Sequence, residues 1–218
     1  MKHPISLLNT LIRTVRRAPI LRNQSGVAAM EFALIAPLII GLYLGLAELA
    51  SVMSVERKVS HSASVAGDLT TQVSIVGSSD AADLVSAVLH VVDLETNQNY
   101  GLRVESFQRE DDGTVSSAGE IVYVTNGGSV SSFDETTLST ALLPIGGGIV
   151  VASVRYDYTP FGFERIEGEN KGEGFLPDSV TLSETFMLKP RRSDVVTIGG
   201  SGAAVLNCSG TKSNVTCS

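Results

Sequence analysis

The chain has 218 residues, 16 Lys+Arg against 23 Asp+Glu for a net charge of −7, and 43% hydrophobic residues with a mean hydropathy of +0.21. That length holds one ordinary domain and an appendage. Lys2, Arg13, Arg16, Arg17 and Arg22 stand in residues 1–26 without an acid, leaving the remainder more acidic than the whole; such a body excludes nucleic-acid binding, which needs clustered cations to displace counterions from phosphates.

Residues 1–26 read as a basic leader. Ile5, Leu8, Leu11, Ile12 and Val15 recur at helical spacing, so the leader is either a short amphipathic helix on a membrane surface or a charged extension, and Pro19 ends any helix near Ala18. Residues 27–53 form the next element, with no charge between Phe32 and Ala47. With its flanks the run is long enough to cross about 30 Å of hydrocarbon as a helix. Glu31 and Glu48 then fall near the two interfaces, where an acid costs less than at the midplane. The basic leader predicts a cytoplasmic N-terminus and places everything after the span outside.

The helix is expected to continue through residues 54–76, because Val52, Val55, Val59, Ala63, Ala66, Leu69 and Val73 keep a three- and four-residue spacing. Residues 77–218 read as an extracytoplasmic α+β domain, an antiparallel sheet against helices. Ser78 or Ser79 is the expected cap of a helix through "AADLVSAVLHVVDL". "YGLRVESFQRE" and "TVSSAGEIVYVTN" are strands joined by a "DDG" turn. "SSFDETTLSTALLP" reads as a short helical crossover. "GGIVVASVRYDYTP" is the strongest strand, stopped by Pro160. "VTLSETFMLKPRR" is expected as the last strand, and the tail "SGAAVLNCSGTKSNVTCS" as a loop. Cys208 and Cys217 are the two cysteines; their proximity suggests a small disulfide loop in an oxidising compartment, with two free thiols as the alternative.

No catalytic constellation is legible, and the chain is not expected to be an enzyme. His3, His61 and His90 are scattered and lack a second ligand at metal spacing, so no metal is expected. "GGSGA" at Gly199 lacks the last glycine of a nucleophile elbow, and the glycines at Gly146 to Gly148 precede a strand instead of following one, the wrong order for a phosphate-binding turn. No cofactor is implied.

What remains is the junction itself. A basic leader ends at Gly26, an apolar helix begins at Val27, and a glutamate, Glu31, occupies its fifth position, followed by Phe32. This resembles a type IV prepilin-like processing site. More narrowly, "GVAAMEFALIAPLIIGLYLGLAEL" is similar to the TadE/TadF-like proteins of the tight-adherence (Flp-type) pilus machinery, and "VRYDYTPFGF" and "FMLKPRRS" resemble that family's downstream strands. The resemblance implies a pilin-like fold and a minor pseudopilin of the bacterial inner membrane. It implies cleavage after Gly26 by a prepilin peptidase, and partnership with other pilins or pseudopilins and inner-membrane pilus assembly proteins. After such a cut Val27 carries a free cationic amine, which Glu31 of its own chain or a neighbour can neutralise; otherwise Glu31 rests at the interface. Gly41 and Gly45 form a GxxxG pattern, and with Ala33 and Pro37 they make a stripe of compact residues suited to close helix approach in lipid. The competing reading is a single-pass periplasmic binding or adhesion module that keeps its leader.

Overall fold

The computed structural model describes residues 25–93, 98–139, 141–160, 179–200 and 204–218. The chain divides into two compact units, one ending at Leu49 and the other running from Ala50 to Ser218. Helix α1, Ser25–Thr71, runs through both sequences without a break in its assignment and holds Pro37 inside it. Proline removes one backbone hydrogen bond there, a loss that local adjustment absorbs in a membrane helix. At the far end the side chains of Thr70 and Thr71 donate to the carbonyls of Ala66 (2.7 Å) and Asp68 (2.8 Å), so hydroxyls replace the missing next turn.

Within the second unit, α1 is amphipathic as the spacing requires. Val59, Ser62, Ala63, Ala66 and Thr70 are buried, one face of a 3.6-residue repeat. A two-residue strand β1, Ile75–Val76, leads into α2, Ser78–Val92. The cap is Gly77 and not a serine: Asp80, in the first turn, accepts the Gly77 N–H at 3.0 Å. An acid at that position satisfies a free amide and meets the positive helix end, which makes a serine cap redundant. α2 ends at Asp93 in the left-handed region, where its carboxylate takes Lys212 Nζ at 2.6 Å and its carbonyl takes Lys58 Nζ at 3.3 Å.

Seven further strands follow among the described residues: β2, Tyr100–Arg109; β3, Val115–Thr125; β4, Gly148–Tyr158; β5, Val180–Leu188; a two-residue β6, Thr197–Ile198; and the pair β7, Val205–Thr211, and β8, Asn214–Cys217. The main sheet has the order β5-β4-β2-β3-β7-β8, antiparallel except for β3 beside β7. β1 and β6 pair in parallel as a second small sheet. The expected fold class, α+β with a long apolar N-terminal helix, therefore holds, with a sheet that is mostly and not wholly antiparallel.

Two local expectations fail. The tail is not a loop but the hairpin β7–β8, because Leu206 and Cys208 alternate with solvent-facing residues and are buried; glycine, serine and asparagine around them mask that period of two. Among its described residues the segment "SSFDETTLSTALLP" holds, as helix, only the three-residue 3₁₀ turn Glu135–Thr137, capped by Asp134. Its role is packing: Leu138 and Leu143 bury against Phe107, Ile149 and Val151 on the sheet face opposite the helices.

The main core lies on the helix side. Leu102, Val104, Ile121, Tyr123, Val150, Ala152, Val154 and Tyr156 meet α2 and the second half of α1. A hydrogen bond of 2.7 Å joins the hydroxyls of Ser62 and Tyr100 inside it. Gly67 lets α1 settle on the sheet, since a Cβ there would collide with Leu188 and touch Ala152. β3 carries a bulge where Ala118 is left over between the pairs Ser106–Gly119 and Phe107–Ser117.

Candidate functional site

The residues singled out in the sequence gather at the start of α1. Gly26 lies in its first turn, so the peptide bond after it is helical. Cleavage needs that bond accessible and extended, and glycine, the poorest helix former after proline, eases the unwinding of the turn. Val27 and Glu31 are four residues apart and share a face; both are exposed. A cation created at Val27 would stand one turn from the Glu31 carboxylate. A Cβ built on Gly26, Gly41 or Gly45 meets nothing within 4 Å, so no described part of the chain fills the GxxxG groove.

Residues 27–49 present a nearly continuous apolar surface, with Met30, Phe32, Leu34, Leu38, Leu42 and Tyr43 each at least 66% exposed. Water does not tolerate such a surface on a folded protein. The helix is long and apolar enough to cross a membrane, which is compatible with single-pass anchoring.

Cys208 and Cys217, the pair put forward from the sequence, face each other across β7–β8 and are joined by a disulfide. Other features escaped the sequence reading. On the sheet face away from the helices, a cleft of about 280 Å³ is lined by Phe133, Asp134, Ser153, Arg155, Ser183 and Thr185, among others. Arg155 stands 3.6 Å from Asp157, whose oxygens already accept from Thr181 at 2.7 Å and Asn99 at 3.3 Å. Burial opposes ionisation of Asp157, yet these donors and Arg155 hold its carboxyl below the usual range.

Glu105, also on that face, is 5% exposed. It accepts the Phe133 N–H at 2.9 Å, while Arg103 lies 3.9 Å away and bonds Glu120 more closely, at 2.8 Å. Burial dominates and pushes the Glu105 carboxyl above its usual value of 4.5. A raised carboxyl favours the folded state below the unfolded value, and that advantage fades as pH rises through the folded one. Glu105→Gln keeps an acceptor for Phe133 and removes the buried charge. Relative to wild type, its thermal midpoint should therefore rise as pH is taken from about 4.5 to neutrality. A difference that stays flat across that range would show that Arg103 compensates the charge fully.

These residues were missed because nothing in the sequence brings Glu105 to Phe133 or Arg155 to Ser183. The path of the loop after β3 does the first and the β4–β5 register the second.

Comparison with known proteins adds one match. The family described as TadE-like protein matches residues 26–68. The match covers α1 almost end to end and stops before the sheet, so the downstream stretches 154–163 and 186–193 lie beyond it, and residues 161–163 lie outside the described residues. No curated protein and no solved structure matches the chain. The segment carrying Gly26, Val27, Glu31, Pro37, Gly41 and Gly45 thus lies within the stretch that matches the TadE-like family, consistent with a component of the Tad pilus system.

Proposed function

We propose that the chain is a minor pseudopilin-like component of tight-adherence pilus biogenesis, cut after Gly26 by a prepilin peptidase. The observation that carries this reading is that the TadE-like match opens at Gly26, the residue that the leader and the Glu31 spacing single out independently. The membrane-compatible helix and its uncovered apolar surface support it. On this reading the protein does no chemistry of its own. The basic leader stays cytoplasmic, the domain after the span is periplasmic, and the partners are the peptidase, other pilins or pseudopilins, and inner-membrane assembly proteins. Glu31 then neutralises the new amine of Val27 at a dry contact between helices, where an unpaired charge is costly.

Intact-mass measurement of the membrane-extracted protein tests the cut. In cells with the peptidase the chain should begin at Val27; without the peptidase, or as Gly26→Val, it should keep its leader. A Gly26→Val chain shortened like wild type would remove the assignment. A wild-type chain with its leader intact in peptidase-positive cells would leave the unprocessed binding or adhesion module.

A further inference from the structure

Edge strands are usually short, bulged, interrupted by proline or covered, because their free amides and carbonyls invite another strand. Among the described residues β5 is neither short, bulged, broken by proline nor covered, and its one charged side chain is Glu184. It pairs with β4 over nine consecutive residues in unbroken register, from Val180 opposite Tyr158 to Leu188 opposite Val150. It is the first strand of the sheet order, and among the described residues no backbone hydrogen bond reaches its outer side. The opposite edge differs: β8 has four residues and is tied to β7 by the disulfide.

One residue of β5 breaks its pattern. Leu182 and Phe186 sit on the helix side and pack against the core. Glu184, between them, shares that side by the period of two. It is half-buried, and no hydrogen bond or ion pair joins its carboxylate to a described residue. Its neighbour in β4 is Val154; its other flank is, among the described residues, the open edge. A carboxylate partly removed from water beside valine, leucine and phenylalanine lacks a counter-ion on the side where a further strand would lie.

We infer that the outer edge of β5 is a docking edge for a β-strand of a partner protein, with a lysine or arginine of that strand opposite Glu184. A second copy of this chain is the wrong occupant. Antiparallel pairing of two β5 strands about their centre sets Glu184 against Glu184, and like charges directly opposite disfavour pairing. The partner strand this edge fits alternates, with apolar, basic and apolar residues on the helix side. On the other side it meets Thr181, Ser183 and Thr185, and is polar there. The inference stands apart from the pilus reading, since it uses only the sheet.

Two synthetic nine-residue peptides test it against the full-length chain in detergent. Both alternate threonine with valine and differ only at the centre, lysine in one and glutamate in the other. The lysine peptide should bind about fivefold more tightly or better, the preference should reverse with Glu184→Lys, and amides of residues 180–188 should gain protection from hydrogen exchange. Equal binding of both peptides, or no binding of either, overturns the inference. So does a Glu184→Val chain that dimerises while wild type shows no preference for lysine, because Glu184 would then serve only to keep two copies of β5 apart.

Discussion

Replacing Gly119 by valine should lower the thermal midpoint of the sheet domain by about 10 °C, the loss of roughly 3–5 kcal/mol in a chain of this size. Two costs combine. Gly119 has φ of 114°, a region that side-chain-bearing residues rarely enter. A Cβ there would also lie 2.4 Å from the backbone oxygen of Ile198 and 2.9 Å from its Cβ, and neither atom can move without shifting β6. β6 is held in turn by Thr197 N–H to Ser74 O at 3.0 Å and Gly199 N–H to Val76 O at 2.9 Å. Gly127→Ala separates the two costs. It also has positive φ, at 77°, but its Cβ meets nothing within 4 Å, so it should show only the conformational part, about 1 kcal/mol. Chemical unfolding followed by circular dichroism gives both numbers. Equal losses in the two variants would mean that β6 yields easily and the close approach of Ile198 is not a constraint.

Removing the disulfide is the second large effect. Closing a loop of sequence separation 9 limits the unfolded chain by about 2.5 kcal/mol on the chain-entropy model. Cys208 is also 4% exposed within the core, so the doubly substituted Cys208→Ala, Cys217→Ala chain leaves a small void as well. The expected loss is about 3 kcal/mol. The hairpin should feel it first. Besides the ladder to β3 and the Lys212–Asp93 ion pair, it is held by the Ser86 hydroxyl donating to Lys212 O at 2.7 Å and the Tyr123 hydroxyl to Gly210 O at 2.9 Å. Denaturant midpoints with and without reductant measure the loss, and alkylation in intact cells reports which state the cell maintains. Two thiols alkylated without reductant would place the domain in a reducing compartment and count against its export.

Helix α1 was legible because its apolar residues repeat at three and four over many turns, a signal that survives any context. β4 was legible for the same kind of reason: valine, isoleucine and tyrosine run together and a proline stops them. β7 and β8 were not. Their residues favour turns, and what makes them strands is a parallel partner, Glu120 to Tyr123, some eighty positions earlier. The cap of α2 was misplaced by one or two residues because an acid at Asp80 does the work expected of a serine. Gly26, Val27 and Glu31 could be found by spacing alone, since their proposed chemistry depends on distance along one helix. Glu105, Arg155 and Glu184 could not, because each owes its setting to neighbours supplied by other strands.

The parallel pairing of β3 with β7 also sets a schedule. At synthesis rates of about 5–20 residues per second, roughly 4–16 s pass between the emergence of Thr125 and that of Val205. During that interval β2 and β3 can already form their hairpin, closed by the Gly113 N–H to Glu110 O bond of 2.9 Å, but the far side of β3 has no neighbour. Ile121 and Tyr123, later buried, stand beside an open row of amides. Anything that slows elongation after residue 125 lengthens the exposure, and a chaperone that binds unpaired strands would find its best target on β3.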